Sequence, residues 1–394
     1  MEMDLKPVIL FYNFCSKMGG AEIVLLEFLK RPSEHFRYKV LLNEYGEFYD
    51  RLVKNNIFVE VIDVNTELLY SIKREGSINF RLISAIPSLL CLLFDFIKYI
   101  RTNKVDLVVS NTYKSHIISG MSAFLIRQNI SWRFHDIIQR EFSTNYFSWM
   151  NIILLKLASI RVSKIIGVSN AVINSFKDYG FKRTKLSVVY NGLEHASIKG
   201  ELIIQNRDKI KIGWIGRFTP WKGIREFIIL AKKLISNKDK INSKFEFIIA
   251  GSALFEDSDY ENTVKKYVTK PFEKYFTFLG HVSDIDTFYN QIDIYFHTSI
   301  APDPFPTTIL EAGQRGLVIF ASDKGGGKEI IKENITGILI DIFDLDEVVI
   351  KTIFVMNNLE MYRVKGECLK NIIKEHYSLE KYYKNYVSEL LKLI

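Results

Sequence analysis

Short apolar runs rich in β-branched and aromatic residues alternate along most of the chain with longer stretches of mixed apolar and charged residues. In the first half these runs are Val8–Phe14, Tyr38–Leu42, Ile57–Ile62, Leu107–Ser110, Ser131–His135, Ile165–Val168 and Ser187–Tyr190. Amphipathic segments such as Ala21–Lys30 and Ala171–Tyr179 lie between them and predict helices. Strand–helix alternation of this kind predicts a parallel, doubly wound sheet. The pattern breaks over Leu193–Asp208, which is polar, lacks an apolar period and reads as a linker. Beyond it the alternation restarts with Ile210–Ile215, Phe245–Ala250, Phe276–Leu279, Ile294–His297, Leu317–Phe320 and Ile338–Ile340. The pattern therefore predicts two successive Rossmann-like α/β domains, residues 1–195 and 196–377. An amphipathic tail helix from Ser378 to Ile394 has no strand after it and is able to cross back onto the first domain.

Composition changes this picture in a few places. With 394 residues the chain is long enough for two cores, and a 48% hydrophobic, 25% charged mix argues against disorder. The net charge of +8 leaves three kinds of anionic partner: nucleic acid, a membrane surface or a phosphorylated substrate. Lys and Arg form no compact run of the kind that makes a nucleic-acid tail, so no nucleic-acid partner is expected. Cys15, Cys91 and Cys368 are scattered and odd in number, with neither a metal spacing nor a disulfide framework. That fits a reducing cytoplasm, as does an N-terminus, Met1–Pro7, without an apolar signal core. The longest apolar stretches, Ile86–Ile100 and Tyr146–Ile160, are interrupted by charge and fall short of the roughly 20 apolar residues of a membrane span. Leu89–Arg101 and Tyr146–Lys164 mix aromatic and basic residues. They read either as core helices or as interfacial helices that dock peripherally on anionic lipid.

Open parallel sheets bind ligands beyond the carboxyl ends of their strands, and four segments there carry candidate chemistry. Gly19-Gly20-Ala21-Glu22 follows the first strand and opens a helix. It is either a plain tight turn or a place where backbone N–H groups approach an anion. No G-x-G-x-x-G occurs there, which disfavours a nicotinamide cofactor. Gly216-Arg217-Phe218 and Trp221-Lys222-Gly223 span the first strand-to-helix turn of the second domain. Arg217 and Lys222 there are either a solvated surface pair or a grip on a diphosphate. Ala301-Pro302-Asp303-Pro304-Phe305-Pro306 is a stiff loop in which three prolines fix φ. A helix is expected to begin near Thr307, capped by its hydroxyl, with Glu311 about one turn in. Asp303 and Glu311 are then placed for different hydroxyls of one ligand, or are a loop charge and a surface charge. Arg133-Phe134-His135-Asp136 ends a strand, and His135 is either a satisfied structural histidine or a ligand group. Asp-x-Asp tripeptides at Asp257/Asp259, Asp284/Asp286 and Asp344/Asp346 resemble metal motifs but sit at helix starts or in polar stretches, where capping and solvation explain them.

Taken in this order, these segments resemble the large group 1 family of retaining GT-B glycosyltransferases that includes bacterial mannosyl- and glucosyltransferases. The resemblance covers nearly the whole chain. Its most specific element, a Glu-x₇-Glu signature, falls on Asp303 and Glu311, with Asp in place of the first Glu. Val168-Ser169, Tyr190-Asn191-Gly192 and Gly325-Gly326-Gly327 before Glu329 support it. The resemblance implies a GT-B fold, two Rossmann-like domains with parallel sheets facing across a cleft, the first for the acceptor and the second for a nucleotide sugar. It implies that Arg217 and Lys222 grip the donor diphosphate, Glu311 binds the ribose and the backbone near Val282 meets the base. Phe305, Pro306, Thr307 and Thr308 would flank the sugar and phosphate, Asp303 the sugar hydroxyls and His135 the anomeric carbon. Gly19 and Gly20 would allow close approach of phosphate or acceptor. The expected donor is a UDP or GDP sugar, with no metal and no other cofactor. The acceptor is a saccharide or lipid-linked saccharide of lipopolysaccharide or capsule type. Two alternatives stand beside this: a non-catalytic donor-binding homologue that partners an active glycosyltransferase, and a GT-B nucleotide-sugar epimerase.

Overall fold

A computed structural model of the chain describes residues 6–63, 80–138, 149–194, 208–253 and 258–394. It divides into two units, Met1–Tyr190 with Tyr383–Ile394, and Asn191–Tyr382. The first holds a parallel sheet of β1 Val8–Tyr12, β2 Arg37–Leu42, β3 Val59–Val61, β4 Leu107–Ser110, β5 Asn129–Phe134, β6 Lys164–Gly167 and β7 Leu186–Val188. The second holds β8 Lys209–Ile215, β9 Lys244–Ala250, β10 Phe276–Gly280, β11 Ile294–His297, β12 Val318–Ser322 and β13 Ile338–Ile340. Every strand expected from the apolar pattern is present, with shifts of a residue or two at the ends. The linker lies mostly outside the described residues, as does Asp257.

Helices cover both faces of each sheet, so strands such as Val-Ile-Leu-Phe-Tyr of β1 are buried at every position and show no alternation. The strand orders are β3-β2-β1-β4-β5-β6-β7 and β10-β9-β8-β11-β12-β13. Each order reverses beside the first strand of its unit, between β1 and β4 and between β8 and β11. At such a point neighbouring loops diverge in opposite directions and leave a crevice. The register sets Tyr12 beside Ser110 and Ile294 beside Ile212, so the residues that follow β1 and β4 emerge side by side.

Aromatic packing holds each layer. Tyr12 stacks on Phe96 of helix Phe80–Thr102 with ring centroids 4.5 Å apart, and Phe296 stacks on Phe320 at 4.4 Å. The last helix, Leu379–Leu391, places Tyr386 at 4.9 Å from Phe28, and the Arg133 guanidinium lies 5.1 Å from the Tyr386 ring centroid.

Candidate functional site

The loop that leaves β8 carries Arg217 and Lys222. Its last turn, Pro220–Lys222, is a short 3-10 helix, and Gly223 at φ +72° then turns the chain into helix Ile224–Ser236. A Cβ on Gly223 would stand 1.8 Å from the Thr298 carbonyl oxygen, so the conformation and the close approach both require glycine. The approach clamps this loop to the one after β11. The Thr298 hydroxyl donates to the Gly223 carbonyl at 2.8 Å and accepts from the Trp214 indole at 3.0 Å. The Ile300 N–H donates to the Trp221 carbonyl at 2.9 Å.

This clamp brings Lys222 to Asp303. Nζ lies 2.5 Å from Asp303 Oδ2 and 4.2 Å from the centroid of the Trp221 ring. The same Oδ2 is 3.3 Å from His297 Nε2, which also lies 3.0 Å from Ser299 Oγ. Asp303 is only 5% exposed. Burial raises its carboxyl, but Lys222 and His297 outweigh that and hold it well below the usual carboxylate range. The glycine run after β12 backs the loop: the Gly326 N–H donates to the Asp303 carbonyl at 2.7 Å, and a Cβ on Gly325 (φ +71°) would meet that oxygen at 2.3 Å.

Helix Thr307–Gln314 follows at once. Thr307 is its first residue rather than its cap, which corrects the expected role of that hydroxyl. The cap position is Pro306, which has no side-chain acceptor, and the Thr307 hydroxyl instead bonds the Glu311 carboxylate. Glu311 Oε2 also accepts from the Tyr289 hydroxyl at 2.8 Å. Burial raises the Glu311 carboxyl, and the bonds from Tyr289 and Thr307 with the charge of Lys222 only partly offset it. Phe305 and Pro306 are buried, Thr307 and Thr308 half-buried. Lys222, Asp303, Phe305, Pro306, Thr307, Thr308 and Glu311 thus form one continuous edge. Arg217 shares the loop but is exposed and makes no ion pair among the described residues. Val282, half-buried after β10 at the far side of the sheet, has no described bond to the others. Asp284 and Asp344 cap helices Ile285–Tyr289 and Leu345–Asn357, which occupies these carboxylates locally.

Gly19, Gly20 and His135 belong to the first unit. Gly19 is the extended residue before helix Gly20–Leu29, and a Cβ on Gly20 would meet nothing within 4 Å. Glu22, in the first turn, is buried and turned inward. His135 follows β5, half-buried, with Nε2 2.9 Å from Asn111 Oδ1. Burial, Arg133 and His116 push its imidazole well below the ordinary histidine value, so it is neutral at pH 7.

Sequence reasoning missed His297, Thr298, Tyr289, Asn13 and Asn111. Their one signal is position: Asn13, Asn111 and His297 stand at or just after the end of a buried strand.

Two family models match the chain, that of glycosyl transferases group 1 over residues 202–368 and that of glycosyltransferase family 4 over residues 18–197. The chain is 24% identical to an uncharacterized glycosyltransferase of Methanocaldococcus jannaschii over 65% of either chain, so it spans just under two thirds of that relative's length. It is 22% identical to the Escherichia coli UDP-Gal:alpha-D-GlcNAc-diphosphoundecaprenol alpha-1,3-galactosyltransferase over 90% of this chain and 89% of the other. The crystal structure of Anabaena HepE in complex with UDP shares the fold, with TM-score 0.81 and 23% identity over 98% of this chain and 100% of that one.

Proposed function

The chain belongs to the group 1 glycosyltransferases, and from that footing we propose that it transfers a sugar, with retention, from a nucleoside diphosphate sugar to a cell-surface glycan acceptor. The observation that carries this reading is the edge where Lys222, Asp303 and Glu311 meet at the N-terminus of helix Thr307–Gln314, with Arg217 exposed on the loop that carries Lys222. A diphosphate at that end meets first-turn N–H groups and the positive end of the helix dipole. Arg217, exposed and without an ion pair among the described residues, takes the phosphate bidentately, with Lys222 as a point charge. Glu311 accepts from the ribose hydroxyls, and the loop backbone near Val282 faces the base.

In the reaction the bond between the anomeric carbon and the diphosphate oxygen breaks, and its electron pair leaves with the diphosphate. The acceptor oxygen bonds the same face of the carbon, and its proton passes to the departing phosphate oxygen. Arg217, Lys222 and the helix N-terminus stabilise the charge that develops, which is commonly the largest catalytic contribution. Asp303 orients sugar hydroxyls, and neutral His135 meets the sugar near the anomeric carbon. These fixed cations, with Asp284 and Asp344 used as caps, are the reason turnover is expected to persist in excess EDTA.

UDP is the first candidate nucleotide, because the names of the E. coli relative and of the HepE complex both carry it. A lipid-linked acceptor is supported by that relative and by a surface of the first unit. Leu90, Phe94, Met121, Phe124 and Leu157 are exposed on three helices, and Ile160 on the 3-10 turn Ser159–Arg161 that follows the third. Helix Tyr113–Leu125 packs against both Phe80–Thr102 and Trp149–Ala158. Lys98, Arg101 and Arg161 lie exposed along two of these helices and their ends, which suits peripheral docking on the anionic inner face of a cytoplasmic membrane. No described helix is long and apolar enough to cross one.

A thermal-shift screen against UDP, GDP, ADP and CDP sugars tests the donor, since a ligand of the folded state raises Tm. Stabilisation by one nucleotide, lost in Arg217→Ala and Glu311→Ala, supports the reading, and no shift with any refutes it. Sedimentation with anionic vesicles at low salt tests the surface, and a protein left in the supernatant refutes docking. One observation favours the non-catalytic alternative: the shorter Asp303 is held by Lys222 and His297. Binding of UDP without turnover on any acceptor extract would establish it.

A further inference from the structure

Three strands that are neighbours in the first sheet each deliver a polar side chain just past their end: Asn13 after β1, Asn111 after β4 and His135 after β5. They bond in single file. His135 Nε2 meets Asn111 Oδ1 at 2.9 Å, Asn111 Nδ2 meets Asn13 Oδ1 at 3.0 Å, and Asn13 Nδ2 meets Glu22 Oε1 at 3.2 Å. We propose that Asn13 and Asn111 are positioning residues that hold His135 as its Nε2–H tautomer and leave Nδ1 as the bare nitrogen offered to the reacting sugar. The assignment rests on the reading above that His135 serves the reaction.

The direction of the file follows from one backbone group. Asn13 Nδ2 lies 2.7 Å from the Cys15 carbonyl oxygen, which only accepts. That end of the amide is therefore the NH₂, and Oδ1 faces Asn111. The atom that Asn111 presents to an acceptor is its own NH₂, so its Oδ1 faces His135. An amide oxygen also only accepts, and Nε2 must then carry the proton. A neutral imidazole has one N–H, so Nδ1 is unprotonated, and it makes no hydrogen bond among the described residues. Burial, Arg133 and His116 keep the ring neutral. Asn13 and Asn111 are nearly unexposed, at 0% and 4%, so each amide is held by its partners rather than by water. A histidine that only filled space would accept either tautomer. Here the wrong one would set two lone pairs against each other at 2.9 Å.

The test uses the full chain labelled with ¹⁵N-histidine, with the His135 signals identified by their loss in His135→Gln. Long-range ¹H–¹⁵N correlation at about pH 6 to 8 should show a protonated Nε2 and a bare Nδ1 in the wild type. A dominant Nδ1–H form or an imidazolium there overturns the proposal without any variant. Asn111→Ala should give mixed tautomers and lower kcat about tenfold or more with the donor KM within about twofold. Unchanged tautomer and kcat in that variant also overturn it. A changed tautomer with unchanged kcat shows that the file sets the tautomer but serves no catalytic purpose, which marks the reading of His135 as the part that failed.

Discussion

Lys222 and Arg217 share one loop and one proposed task, yet their surroundings predict different costs of removal. Arg217 is exposed, whereas Lys222 closes on a carboxylate that is 5% exposed. Lys222→Met keeps most of the stem but leaves Asp303 Oδ2, among the described residues, with the 3.3 Å contact to His297 alone. Removing one partner of a buried pair costs about 3–5 kcal/mol. The Lys222 side chain is 20% exposed and His297 remains, so a smaller loss, about 2–3 kcal/mol, is expected. A unit of this size loses about 2–4 °C per kcal/mol, which puts the fall in Tm at roughly 4–12 °C. Arg217→Ala should change stability by no more than about 0.5 kcal/mol.

The order inverts for the ligand. Arg217 has no ion pair among the described residues, and a hydrogen bond to a charged group contributes about 1.5–3 kcal/mol, so its loss should weaken UDP about 10- to 100-fold. The charge of Lys222 is already balanced by Asp303, and its loss should weaken UDP less than about tenfold. Differential scanning fluorimetry and titration calorimetry read the two quantities. The pair also sets a pH dependence. The folded Asp303 carboxyl lies below its unfolded value, so its stabilisation is present above about pH 4 and is lost as pH falls toward the folded value. Lys222→Met should flatten that acid limb. Lys222→Met with Asp303→Asn removes the stranded charge and should recover most of the Tm. Equal effects of Lys222→Met and Arg217→Ala on both Tm and UDP affinity would refute the reasoning, as would a double variant no more stable than Lys222→Met.

Further predictions follow from the same geometry. Gly20→Ala enters open space, so stability should hold or rise by up to about 1 kcal/mol while kcat/KM falls; a collapsed Tm contradicts the open space, and unchanged turnover contradicts ligand approach there. Burial raises the Glu311 carboxyl, so the folded state binds its proton more tightly and this group's stabilisation declines as pH rises above the ordinary carboxyl value. Glu311→Gln should remove that slope, leave the protein at least as stable at pH 7, and weaken UDP by calorimetry. Asp303→Glu restores the signature residue but adds a methylene against Lys222 and His297. A loss of about 1–3 kcal/mol in denaturant unfolding is expected, with altered turnover across a panel of UDP sugars, and unchanged stability would mean the site has room.

What was legible along the chain was whatever a local pattern determines. β1 reads as a strand because five successive positions are buried, and Gly223 and the prolines around Asp303 announce turns through their own backbone limits. Thr307 misled because a hydroxyl near a helix start normally caps it. Pro306 already occupies the cap position, and Glu311, four residues on, claims the hydroxyl. The remaining site residues were hidden for a topological reason. Asn13 and Asn111 are 98 residues apart and gain meaning only because β1 and β4 are neighbours while β2 and β3 lie on the other side. His297 likewise matters only once the loop after β11 turns Asp303 back onto it. In a doubly wound sheet, then, a polar residue at the end of a buried strand beside the reversal of strand order carries information that no window of sequence around it contains. The pairing of strand ends across that reversal makes Asn13, Asn111 and His135 one unit, and a substitution at any of them should be read as a change to all three.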